Sequence, residues 1–178
     1  MNAAAAPLIL TVALPEALQR QADTVRNALA PGAAARAPAH LSLFRHLPGL
    51  QQAEVVNRVR RVAARPAPAL GLGAPTRWGS RWVAPVTAPA LDALRAELAE
   101  QLHGLLAPGD HAPPLLHISL SSGRDAPSPL GEGPWKARGL LLWRHEGAEM
   151  AADRAGSGMA PERGGAFWTP LVAVAFHG

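Results

Sequence analysis

The chain has 178 residues, no cysteine and a formal net charge of +4, with 48% hydrophobic residues and a mean hydropathy of +0.04. That length and apolar content suit a globular protein with its own core, and the lack of cysteine excludes a disulfide framework and any thiolate metal site. Sixteen of the 17 basic residues are arginines, scattered apart from Arg58, Arg60, Arg61 and Arg65, which is compatible with an anionic substrate but makes no stripe of the kind that tracks DNA.

Leu8 to Leu14, with Ile9, Thr11 and Val12, reads as a strand. It is too short to span a membrane and no basic residue precedes it, so a cytoplasmic protein without a membrane segment or secretory leader is expected. Pro15 then opens a helix whose stripe is Leu14, Leu18, Ala22, Val25 and Leu29, and Pro31-Gly32 stops it. A loop leads through Pro38 to a strand at Ala39 to Phe44, and Pro48-Gly49 turns the chain into a second helix with Val55, Val56, Val59 and Val62 on one face. Two strands are expected at Ala69 to Ala74 and Arg81 to Thr87, joined through Trp78-Gly79.

Thr87 is placed to cap the next helix, with Pro89 in its first turn and a stripe of Leu91, Leu94, Leu98, Leu102 and Leu105 that ends before Pro108-Gly109. Leu115 to Ser121, Ala137 to Arg144 and Thr169 to Phe176 read as strands. Ser122 to Pro134 reads as loop, and the Gly-rich stretch Gly147 to Gly165 as a hairpin extension.

One phrase occurs twice. Ala30-Pro31-Gly32 is followed by His40-Leu41-Ser42-Leu43, and Ala107-Pro108-Gly109 by His117-Ile118-Ser119-Leu120, with every element offset by the same 77 positions. On a strand, residues two apart point to one face, so each copy aims an imidazole and a hydroxyl at one spot. Two facing copies supply a general acid, a general base and two hydroxyl donors. Cleaving a phosphodiester at a 2′,3′-cyclic phosphate asks for that set: a base to deprotonate the attacking oxygen, an acid to protonate the leaving oxygen, and donors to the non-bridging oxygens. The chemistry then needs no metal and no cofactor, and the remaining histidines offer no metal-ligand motif.

Two H-x-[S/T]-hydrophobic motifs about 80 residues apart resemble the two-histidine phosphoesterase superfamily, and within it the bacterial 2′-5′ RNA ligase and RNA 2′,3′-cyclic phosphodiesterase family. Pro38 to Phe44 followed by Leu47-Pro48-Gly49 is similar to that family's first motif region, and Gly139 to Arg144 to its late strand. Both motifs here carry serine where threonine is common. The resemblance implies a single domain over 1–178 of the α+β class. It would be bilobal, with two antiparallel sheets and outer helices related by a pseudo-two-fold, lobes formed around the motif strands 39–44 and 115–121, and a central groove. It implies His40 and His117 as the catalytic pair and Ser42 and Ser119 as phosphate-binding hydroxyls. It also implies a monomeric phosphoesterase acting on RNA ends or nucleotides carrying a 2′,3′-cyclic phosphate, with 2′-5′ ligation as the reverse reaction. An RNA-end-binding module without chemistry, and an esterase for a small non-RNA cyclic phosphate, are the alternatives.

Other residues are placed less directly. Arg124, after the second motif, is a candidate clamp on a phosphate oxygen or a plain loop arginine. Phe44 and Trp143 are candidates to stack on a base, or core aromatics. His46 falls on the face of His40 under strict alternation and reads as a rim histidine; Trp78 and Trp82 read as packing residues of a hairpin. No role is expected of His111, His145 or His177.

Overall fold

The structure is a computed structural model that describes residues 6–146 and 167–177. The extension expected at Gly147 to Gly165 lies outside the described residues. Among the described residues, nine strands and four helices run in the order β1 (Leu8–Ala13), α1 (Glu16–Leu29), α2 (Ala33–Arg36), β2 (Leu41–Leu47), α3 (Gln52–Ala63), β3 (Ala69–Leu72), β4 (Thr76–Trp78), β5 (Arg81–Thr87), α4 (Pro89–Gln101), β6 (His117–Ser121), β7 (Trp135–Lys136), β8 (Gly139–Glu146) and β9 (Phe167–Ala175). Short 3-10 turns at Gly49–Gln51 and Pro108–Asp110 lead toward α3 and β6.

The chain departs from the sequence expectation in small ways. The loop before Pro38 includes the one-turn α2. Ala88, not Thr87, stands at the N-cap of α4, and no side chain caps it. The strand pair around Trp78-Gly79 contains an extra short strand, because Gly79 adopts φ 59° and closes a tight β4–β5 hairpin.

The described strands form one nine-stranded sheet rather than two, in the order β7-β3-β5-β6-β2-β1-β8-β9, with β4 paired to β5. The named strand pairs are antiparallel. The order is mirrored about the β2–β6 junction: each motif strand is flanked by the strand that opens its own β–α–β unit, β1 for β2 and β5 for β6. A hydrophobic cluster fixes which way the motif strands face. Leu41, Leu43, Ile118 and Leu120 are buried in it together with Leu18 and Ala22 of α1, Val55, Val59 and Val62 of α3, and Leu91, Leu94 and Leu98 of α4. Burying the odd positions of β2 and the even positions of β6 under the helices turns His40, Ser42, His117 and Ser119 to the other face.

Among the described residues no helix is long and apolar enough to cross a membrane.

Candidate active site

The two motif strands meet at the Cα pair of Leu41 and Ile118. Antiparallel pairing at that register brings position 40 against 119 and position 42 against 117, so each histidine stands across from the other copy's serine. All four side chains line one cavity of about 280 Å³, together with Pro7, Ile9, Arg45, His46, Arg81, His145 and Trp168. Among the described residues, the lining therefore holds two arginines and four histidines, and no carboxylate. Such a set attracts an anion.

The two imidazoles are held alike. His40 Nδ1 lies 2.7 Å from the carbonyl oxygen of Pro38, and His117 Nδ1 lies 2.7 Å from that of Leu115. A carbonyl only accepts, so Nδ1 of each ring carries the proton and donates, and Nε2 of the neutral ring keeps a lone pair. Each ring also packs against a tryptophan: His40 on Trp168 with ring centroids 4.3 Å apart, His117 on Trp78 with centroids 4.9 Å apart. Burial pushes the His40 pKa down from 6.5 to about 4, opposed by the Pro38 hydrogen bond and assisted by Arg26, Arg45 and His117. Burial also lowers that of His117, with Arg45 and Arg81 acting in the same direction against the Leu115 hydrogen bond. Both rings are thus biased toward the neutral form.

Helix side chains fix the segment that leads into each motif. On α1, the Asp23 carboxylate accepts the Ala39 N–H at 2.6 Å, Gln19 donates to the Ala39 carbonyl at 2.8 Å, and Arg26 donates to that of Ala37 at 2.6 Å. On α4, the buried Arg95 donates to the carbonyls of Asp110 and Ala112 ahead of His117.

Two irregularities in the β1–β2 ladder decide which residues reach the cavity. Thr11 pairs with Ser42, Leu10 with Phe44 and Leu8 with Leu47, so β2 gains an extra residue at each step. Bulges of this kind re-aim the side chains that follow them. Leu43 and Phe44 are consequently both buried, while Arg45 and His46 are both exposed at the cavity. The bulge leaves the N–H groups of Arg45 and His46 off the ladder, and the buried Asp110 carboxylate accepts both, at 2.9 Å and 2.8 Å.

None of the three candidate substrate contacts Phe44, Trp143 and Arg124 lines this cavity. Phe44 is fully buried and carries the Arg95 guanidinium 4.4 Å from its ring centroid, because the bulge turns it inward. Trp143 is buried and donates its indole N–H to the Thr11 hydroxyl at 2.9 Å; it backs Trp168, 6.0 Å away, which faces the cavity in its place. Arg124 is exposed on the loop after β6, where its carbonyl accepts from Arg77, and it does not line the cavity.

Sequence reasoning missed Arg45, Arg81, Trp168 and His145 as lining residues, and read Trp78 as plain packing. The adjacent apolar pair Leu43-Phe44 breaks the alternation after Ser42 and is the signal that could have found Arg45. Arg81 and Trp168 arrive through β5 pairing with β6 and β9 pairing with β8, which no local pattern encodes. Among the described residues, no group of three or more His, Cys, Asp or Glu side chains is arranged to hold a metal ion.

Comparison with known proteins follows the same geometry. The family model of the 2′-5′ RNA ligase superfamily matches residues 14–144. No curated protein matches the sequence. Among solved structures, TT0787 of Thermus thermophilus is 21% identical at a TM-score of 0.60, covering 96% of this chain and 97% of its own. E. coli LigT complexed with NADP+ is 20% identical at a TM-score of 0.64, covering 97% of this chain and 98% of its own. LigT complexed with 3′-AMP, with the same coverage of 97% and 98%, is 18% identical at a TM-score of 0.62. At these identities the likeness is one of fold.

Proposed function

Because the chain belongs to the 2′-5′ RNA ligase superfamily, we propose that it is a single-domain phosphoesterase that hydrolyses 2′,3′-cyclic phosphate termini of RNA or nucleotides, and that joins such termini in 2′-5′ linkage when an RNA 5′-hydroxyl takes the place of water. The observation that carries this reading is the convergence of both H-x-S motifs on one cavity, each imidazole tied through Nδ1 to a carbonyl two residues upstream. The mirrored strand order supports an approximate two-fold relation between the two β–α–β units.

In the proposed reaction the cyclic phosphate sits between the two histidines. His40, whose pKa is pushed down to about 4, is neutral at pH 7 and is the base: Nε2 takes a proton from water as the oxygen attacks phosphorus. His117 is the acid and gives a proton to the departing ribose oxygen as its bond to phosphorus breaks. The anion's own field restores a proton to His117 that burial, with Arg45 and Arg81 behind it, otherwise discourages. Ser42 and Ser119 donate to the non-bridging oxygens, and Arg45 and Arg81 balance the charge that builds there. Ligation follows the same path with an RNA 5′-hydroxyl in place of water: His40 takes its proton as the oxygen attacks phosphorus, and His117 protonates the departing ribose 3′-oxygen.

The test is to incubate the protein with a nucleoside 2′,3′-cyclic phosphate and follow the monophosphate formed. Turnover is expected, with a loss of about 10² to 10⁴-fold in kcat for His40→Ala and for His117→Ala. Binding without turnover, or full activity in either variant, overturns the reading in favour of an RNA-end-binding module or a different centre.

A further inference from the structure

The peptide unit between Pro38 and Ala39 is held from both ends. Its carbonyl oxygen accepts from His40 Nδ1 at 2.7 Å, and its N–H, which belongs to Ala39, donates to the Asp23 carboxylate at 2.6 Å. A trans peptide is planar, and its C=O and N–H point in opposite directions. The two hydrogen bonds therefore lie on opposite sides of one rigid plate. Fixing the N–H end aims the carbonyl, and the carbonyl decides which nitrogen of His40 carries the proton. A charged acceptor also makes the stronger bond, and an amide polarised from its N–H end accepts better at its oxygen.

Asp23 is itself set in place. Gln19, Asp23 and Arg26 follow at intervals of four and three on α1 and so share one face. Gln19 Nε2 donates to one carboxylate oxygen at 2.8 Å, and the Arg26 guanidinium stands 3.3 Å from the other, which is the oxygen that takes the Ala39 N–H. The same two side chains hold the carbonyls of Ala39 and Ala37, so the chain on either side of Pro38 is tied to one helix face. The segment ahead of His117 is held differently. That ring bonds the Leu115 carbonyl, whereas Arg95 donates to the carbonyls of Asp110 and Ala112 and reaches neither end of the Leu115–Leu116 peptide.

We propose that Asp23 is a positioning residue for His40, acting through the Pro38–Ala39 peptide to keep the imidazole proton on Nδ1 and the Nε2 lone pair free. The assignment rests on the phosphoesterase reading above and deepens it, because it gives a reason for His40 to serve as the base. Asp23 does not line the cavity, so it acts on the reaction only through that ring.

Long-range 15N NMR of the ligand-free protein at pH 7 reads the tautomer of each histidine, and kinetics on a nucleoside 2′,3′-cyclic phosphate reads the consequence. Both His40 and His117 are expected as Nδ1–H in the wild type. In Asp23→Ala, His40 alone is expected to become a mixture of Nδ1–H and Nε2–H forms, and kcat to fall about tenfold with little change in KM. Asp23→Asn keeps an oxygen acceptor for the Ala39 N–H. It is expected to restore the single His40 tautomer and most of kcat, with the Ala39 amide proton moved upfield as the bond loses its charge. A wild-type His40 tautomer in Asp23→Ala, an equal disturbance of both rings, or a change confined to KM overturns the proposal. If Asp23→Ala does not fold, Asp23→Asn decides: an Ala39 amide proton that stays at its wild-type position overturns it, and an upfield shift with His117 unmoved supports it. The tautomer is read without substrate, so it decides the role of Asp23 even if no cyclic phosphate is turned over; turnover decides the phosphoesterase reading separately.

Discussion

Leu41 and Ile118 form the Cα pair that joins the two motif strands, and each is completely buried. Their apolar side chains lock the register from the helix side of the sheet. The polar residues on either side of them, His40 and Ser42, His117 and Ser119, then meet on the opposite face without further instruction.

If that register aims both hydroxyls at one phosphoryl group, their effects are coupled. Ser42→Ala and Ser119→Ala are each expected to lower kcat/KM for a cyclic phosphate by about 10²-fold. The double variant is expected to lose less than the product of the two, because both serve the same charge. Strict multiplicativity would show that the serines act on different groups.

The histidines set the pH behaviour. The folded His40 ring is pushed to about 4 from its ordinary 6.5, so on acidification the unfolded chain takes the proton first. This contribution to stability is complete above about pH 6.5 and is lost between there and about pH 4, by up to roughly 3 kcal/mol. Urea midpoints should fall across that window in the wild type and less steeply in His40→Gln. If His40 is the base and His117 the acid, the base titrates in the free protein near 4 and the acid below its ordinary 6.5, so kcat/KM should peak on the acid side of neutrality. A kcat/KM profile that rises steadily through pH 8 would contradict the assigned roles.

Asp110 secures the bulge that brings Arg45 to the cavity. Asp110→Ala leaves the two N–H groups of that bulge without their acceptor, and should cost about 2 to 4 kcal/mol in denaturant unfolding. Substrate KM should rise as Arg45 loses its position. Arg45→Ala itself should raise KM and weaken its dependence on salt, with unfolding midpoints close to wild type, since the side chain is exposed.

Gly139 is a point of close backbone approach between β8 and β9. A Cβ there would stand 2.2 Å from the Val174 carbonyl oxygen, so neither strand can accommodate it without moving. Gly139→Ala is expected to destabilise the fold by about 3 kcal/mol. Because β9 carries Trp168 to the cavity, the variant should also weaken binding of the ligand on the His40 side.

The repeated phrase made the candidate site legible, because a period of two on a strand is a local property: His and Ser two apart share a face wherever the strand goes. The helices were legible for a similar reason. The stripes Leu18-Ala22, Val55-Val59-Val62 and Leu91-Leu94-Leu98 are buried as their spacing predicts. Phe44 escaped that logic, since an inserted residue in β2 reverses the face of everything after it and depends on how β1 pairs with it.

The sequence by itself determined the longer elements, their amphipathic faces and the identity of the two imidazole–hydroxyl pairs, all of which follow from spacings of two to four residues. Only the tertiary structure decided that β2 and β6 are neighbours, that one sheet rather than two carries them, and that Arg45, Arg81, Trp168 and Trp78 surround the histidines. Those outcomes depend on pairings between residues far apart in the chain, such as His145 with Trp168 and Val83 with Ser119. Such pairings are selected by burying the whole apolar face at once, and no short stretch of sequence records that sum.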